Sequence, residues 1–449
     1  MVTVALAAVE WGNWTSTMAN FRCNALSTLL IGSILLLARG LKSDSEDKKL
    51  VFKYPANTSH QETLSSPPQP LALEPVPPIQ AEPPEPCTDP QRQLQFMQDS
   101  CGVKRYPSNW HRDLSCTNRH SSSSGYHQSR ESYPVHEVLT DLVPPQMQLT
   151  VILIRRINGL LYYKYLSNGT SEQIFQPWSA SKFLAVANAA SKLRLASNYQ
   201  VGLTASVGPI PLGDLVTSLH QYDYRFGASS NTLGRYFHNI GDRQRANQMI
   251  HDHWLDRPET ETFGGNYGGE PLTFQYAFHE KNGQRLHLSP APISRIRNRL
   301  SSLTLAQALL YLVMHREEPN NRLPDIQWDD LKTLFYGAEA STRYPNWGGM
   351  SSDTAIYLQA HDMNYIERRS QGMWRIFSKF GLGEQGEIVN VGYACFPVVD
   401  LNSQPVTDRG VEFIIAAHLP NGGKTLVERD RMMARAYRSI VQRIIEDKI

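Results

Sequence analysis

The sequence has no C-x-x-C pair. Its five cysteines stand singly at positions 23, 87, 101, 116 and 395, with no histidine at ligand spacing beside them, so no metal site is expected. His251-Asp252-His253 does not change this, because two histidines at i, i+2 do not share a helix face. An excess of either charge is also missing: 44 Lys and Arg against 42 Asp and Glu leave a net +2. With no basic cluster, nucleic acid is not an expected partner. A phosphate loop is absent too. Gly422-Gly423-Lys424-Thr425 has Leu419 or His418 where the leading glycine of G-x-x-x-x-G-K-T belongs, and no cofactor is expected.

Long apolar runs are scarce. The most apolar, between Arg22 and Arg39, has about the length of a signal-peptide core and is short for a spanning helix. Leu36-Leu37-Ala38 puts a bulky residue where a cleavage site wants a small one, so residues 1–42 read as an export signal or, better, an uncleaved membrane anchor. The expected location is the periplasm or cell envelope, with the membrane as partner of this segment. Residues 43–145 lack the apolar residues to form a core. Ten prolines fall between Pro67 and Pro90 and serines occupy 121–124, so this stretch reads as a disordered tether. Cys87, Cys101 and Cys116 lie in it and could form one disulfide if exported; Cys395 stands in an apolar strand pattern and reads as a small core residue.

What is present begins near residue 146. An apolar, β-branched run at 148–156, a turn at Ile157-Asn158-Gly159 and a second run at 160–166 make a hairpin. A helix follows from Ser179, and 211–370 is mostly helical, with the clearest helix at 303–314. Strand signals recur at 373–380, 388–399 and 411–418, before an amphipathic helix at 428–445. Strands at both ends around a helical middle predict an α+β domain over 146–449: one antiparallel sheet built from N- and C-terminal strands, flanked by helices, with a helical subdomain inserted.

Three short motifs occur in order. Ser179-Ala180-Ser181-Lys182 starts a helix, and a lysine one turn after a serine can take its proton if burial and nearby cations keep the amine neutral. Ser45-Glu46-Asp47-Lys48 has the same spacing but no helix or apolar flank. Ser229-Ser230-Asn231 has the form S-x-N, in which Ser229 could pass a proton to a leaving group and Asn231 could orient Lys182 and the substrate; in isolation it is a helix cap. Lys379-Phe380-Gly381 lies on a strand signal, with Lys379 able to bind a substrate carboxylate, Gly381 letting substrate lie along the strand, and the Leu382 N–H joining that of Ser179 as an oxyanion hole.

S-x-x-K, S-x-N and a K-x-G strand, in this order on this layout, resemble the penicillin-recognising serine hydrolases, which include class A β-lactamases and D-Ala-D-Ala peptidases. Leu303-Thr304-Leu305-Ala306 resembles the family's helix before the lysine strand, and Asp256-Arg257-Pro258-Glu259-Thr260-Glu261 its omega loop, which implies Glu259 as the base for deacylation. Phe380 replaces the hydroxyl residue of K-[ST]-G, and Phe263 stands where an asparagine helps hold water. The resemblance implies a serine hydrolase working through an acyl-serine on a small β-lactam or a peptidoglycan peptide. The alternatives are a D-Ala-D-Ala peptidase or esterase on the same scaffold and a non-catalytic envelope-binding domain.

Overall fold

The computed structural model describes residues 116–449 apart from 117, 129–133, 271, 273, 293–295, 346–347, 354–356, 360–362 and 403. The apolar run at 22–39, Ser45, Cys87, Cys101 and the proline-rich stretch lie outside the described residues.

Six strands form the main sheet: β1 (Val135–His136), β2 (Gln148–Ile157), β3 (Leu160–Ser167), β4 (Arg375–Leu382), β5 (Ile388–Phe396) and β6 (Val411–Leu419). Their order is β1-β3-β2-β6-β5-β4. Among the described residues of this sheet, only the short β1–β3 pair is parallel. Asn158 and Gly159 join β2 to β3 with φ of 52° and 78°, the left-handed values that a two-residue hairpin turn requires. β2 pairs directly with β6, so the two ends of the domain meet in mid-sheet and leave β4 at one edge. The central strands are apolar without alternation because both their faces are covered.

On one face lies α6 (Leu426–Ile445), whose N-terminus is closed by a reciprocal Thr425–Glu428 capping box and whose Met433, Tyr437, Ile440 and Val441 are buried against the sheet. The other face carries the inserted helices: α1 (Lys182–Ala196), α2 (Leu212–Gln221), α3 (Ser230–Gly241), α4 (Ser302–Val313) and α5 (Trp328–Tyr336). α1 is buried at 12 of its 15 residues, which makes it the central helix and explains its run of small and apolar residues. Each large apolar side chain it buries, such as Phe183 or Leu193, contributes about 2 kcal/mol of transfer free energy. Four short strands between the helices, Ser206–Val207, Ile210–Pro211, Ala277–His279 and Arg285–His287, make a small second sheet that the helical reading of the middle region did not contain.

Two expectations are corrected on the N-terminal side. The composition of 116–145 predicts the end of a tether, but Leu139 and Val143 are buried and β1 pairs with β3, because a few apolar residues in a polar stretch suffice to dock it. Cys395 is buried in β5 but is not a free thiol: it forms a disulfide with Cys116, 279 residues earlier, with Cα atoms 6.0 Å apart. Closing so long a loop stabilises the native chain by on the order of 5 kcal/mol in the chain-entropy account.

Candidate active site

The site is built where the edge strand β4 meets the entry to α1. Trp178–Ser181 forms a 3-10 turn that runs directly into α1. Trp178 has φ of 48°, an uncommon conformation for a bulky residue that persists only where its surroundings hold it. This kink leaves Ser179 partly exposed at the head of the helix. Gly381 on β4 lies against the same turn. A Cβ there would stand 2.7 Å from Ala180 N and 3.0 Å from Ser179 N, so glycine is what lets strand and turn touch. The motif alone suggests that Gly381 serves substrate approach; its neighbour is the serine turn itself.

Three residues after Ser179, Lys182 is fully buried. Its Nζ donates to Ser230 Oγ at 2.9 Å and to Asn231 Oδ1 at 2.7 Å, and Ser230 Oγ donates onward to the Leu219 carbonyl at 2.7 Å. Burial first, and the charge of Lys379 second, hold the Lys182 pKa well below the ordinary lysine value. Gly234 on α3 makes room for the lysine stem, since a Cβ there would lie 3.1 Å from Lys182 Cε. Ser229 is placed differently from its neighbour. It caps α3, accepting from Thr232 N at 3.1 Å, and the hydroxyl that meets Lys182 belongs to Ser230.

Tyr222, which the sequence did not single out, completes the arrangement. It is the left-handed residue that ends α2, with φ of 57°. Its hydroxyl accepts from Lys379 Nζ at 2.6 Å and donates to the Phe380 carbonyl at 2.6 Å. Burial and then the charge of Asp353 raise its pKa well above the ordinary phenol value, while the Ser179 side chain works against them. Lys379 and Asp353 are both fully buried, with Nζ 3.7 Å from Oδ1, and Ser378 Oγ donates to Oδ2 at 3.1 Å. Burial lowers the Lys379 pKa to about 8 against the upward pull of Asp353.

Ser179 and Asn231 open onto a cleft of about 600 Å³ whose lining also includes Tyr267, Asn298, Arg297, Leu382 and Glu387. Gly383 N–H donates to the Glu387 carbonyl at 2.8 Å, toward β5. Alternation along the strand therefore turns the Leu382 N–H to the free edge of β4, on the side of Ser179. Tyr267 joins the cleft to the turn that precedes α1 through a 3.1 Å hydrogen bond between its hydroxyl and Ser181 Oγ. Ser179, Lys182, Asn231, Lys379, Gly381 and Leu382 are thus brought together from three separate stretches of chain.

Glu259 is not brought there: it is exposed and does not line the cleft. Its neighbour Glu261 is the buried carboxylate of that loop, accepting from Ser301 N at 3.0 Å and pairing with Arg257 at 3.1 Å, so it holds the start of α4. The two phenylalanines that depart from the family pattern also lie outside the cleft. Phe380 packs on the α6 face of the sheet, and Phe263 is buried with its ring 4.6 Å from that of His238.

No protein-family model matches the sequence, and no curated protein does. Among solved structures the chain is similar to a β-lactamase from Burkholderia vietnamiensis, at 12% identity and a TM-score of 0.40, over 70% of this chain and 98% of that one. It is similar also to an ancestral class A β-lactamase of the last common ancestor of Gram-negative bacteria, at 13% identity and a TM-score of 0.40, over 69% and 99% of the two chains. A third, L2 complexed with relebactam, is 14% identical with a TM-score of 0.36 over 67% and 92%. These are likenesses of fold; the chemistry rests on the residues described above.

Proposed function

We propose that this chain is a hydrolase that works through an acyl-serine intermediate on Ser179. The observation that carries the reading is the buried amine of Lys182, held by Ser230 and Asn231, its pKa well below the ordinary lysine value through burial and Lys379, one helical turn beyond a serine partly exposed in a cleft. In this reading Lys182 Nζ takes the Ser179 proton as Oγ bonds to the substrate carbonyl carbon. The N–H groups of Ser179 and Leu382 receive the negative charge that develops on the carbonyl oxygen. The leaving group then departs with a proton passed through Ser230 or Tyr222, and water releases the acyl group as an acid. The Cys116–Cys395 disulfide supports export to an oxidising compartment, in keeping with an envelope location.

A fluorescent fluorophosphonate tests this directly. It should label the full chain at one residue, and Ser179→Ala should remove the label while leaving the far-ultraviolet circular dichroism unchanged. Label that persists in Ser179→Ala would sink the assignment.

A further inference from the structure

We infer that the substrate carries no carboxylate beside the bond that is cleaved, and that Asp353 sets this preference by occupying the lysine that would otherwise receive one. The inference rests on the acyl-serine reading above and names the substrate class of that same site: an uncharged ester or amide.

The argument starts from the charges on β4. Lys379 is its cation nearest Ser179, yet its side chain is completely buried and is not part of the cleft lining. Its Nζ faces Asp353 Oδ1 at 3.7 Å and gives a 2.6 Å hydrogen bond to Tyr222. The second Asp353 oxygen accepts from Ser378. A buried pair of this kind is held because separating it would leave an uncompensated charge out of water. A substrate carboxylate would therefore have to displace Asp353 to gain the lysine.

The remaining contacts on that wall point the same way. Position 380 presents its carbonyl to Tyr222 and sends its side chain to the far face, so it offers no hydroxyl to an anion. Beyond Leu382 the wall continues with Glu384, exposed to water, and the half-buried Glu387, which repels one. Arg297 is the cation among the described cleft-lining residues. It is exposed on the stretch beside Asn298, where water screens it.

For an ester substrate the balance is simple. The C–O bond to the alcohol breaks as the Ser179 Oγ–C bond forms, and the serine proton leaves on the alcohol. Water then splits the acyl-serine into a carboxylic acid and free Ser179.

The test compares acylation of the full chain by benzylpenicillin and by its methyl ester, which share the reacting ring and differ in the carboxylate, with p-nitrophenyl butyrate as a neutral reference. The methyl ester should acylate Ser179 at least as fast as the free acid, and the butyrate ester should turn over. In Asp353→Asn, the acid should gain about tenfold on its methyl ester, the size of one recovered charged contact. A free acid that reacts about tenfold faster than its methyl ester with the unaltered chain overturns the inference and leaves the serine reading standing. Failure of these reagents and of the fluorophosphonate to modify Ser179 overturns both. Because the acid and ester are compared on the unaltered chain, the test holds even if Asp353→Asn does not fold.

Discussion

Tyr222 links Lys379 to the backbone of its own strand: its hydroxyl receives the lysine Nζ at 2.6 Å and gives its proton to the carbonyl of Phe380, the next residue, at 2.6 Å. Ser179 acts on the same phenol, lowering its pKa against the effect of burial, so the hydroxyl couples the serine to a buried cation. Tyr222→Phe keeps the ring and removes only that link. Acylation of Ser179 should fall about 100-fold, as for loss of one positioned proton-transfer group, with little change in melting temperature. An unchanged acylation rate would remove the phenol from the proton path.

Gly381→Ala tests the contact between strand and serine turn. The added methyl meets Ala180 N at 2.7 Å and Pro177 O at 2.8 Å, backbone atoms that cannot rotate away. The chain should still fold, but with β4 displaced from the turn, melting several degrees lower for a loss of about 1–3 kcal/mol. Labelling of Ser179 should slow more than tenfold, since the displacement moves Leu382 with the strand. Normal labelling in a folded Gly381→Ala protein would show that the oxyanion site does not depend on this contact.

Acid should destabilise the fold through buried histidines. Burial, and secondarily Arg243, lowers the pKa of His238 to about 3; burial alone lowers that of His418 to about 4. Both are neutral in the native chain, while in the unfolded chain they take up protons below about 6.5. Their contribution is therefore fully present above pH 6.5 and is lost as pH falls toward 4. From pH 6.5 to 5.5 each should cost about 1 kcal/mol, read as a lower urea midpoint, and His238→Gln should reduce the drop. A midpoint independent of pH over this range contradicts the assignment.

Glu259→Gln is expected to leave turnover of a neutral ester within about twofold, because the side chain is exposed and outside the cleft. Stalling of that variant as the acyl-enzyme would show that the loop moves to bring Glu259 to Ser179.

Much of the fold was legible because strand and helix periods are local. The Asn158-Gly159 hairpin, the three late strands and α6 follow from short windows. The Ser179–Lys182 pair was legible for the same reason, being set by one helical turn. The choice between Ser229 and Ser230 was not. It depends on which residue caps α3, and a shift of one position turns a hydroxyl from Lys182 to the backbone. Phe380 could have been placed by strand alternation, which puts Lys379 and Gly381 on one face and position 380 on the other. Tyr222 and Asp353 gave no sequence signal: they meet Lys379 across long stretches of chain, and nothing local marks a tyrosine at the end of a helix or an aspartate after a serine pair.

The Cys116–Cys395 bond also sets how the domain bears force. A pull applied to the chain before residue 116 passes through sulfur into β5, a strand flanked by β6 and β4, without loading the intervening backbone. The short β1 ladder and the serine turn are bypassed. Tension in the leading segment thus enters the sheet at β5, where the ladders to β6 and β4 on either side resist it.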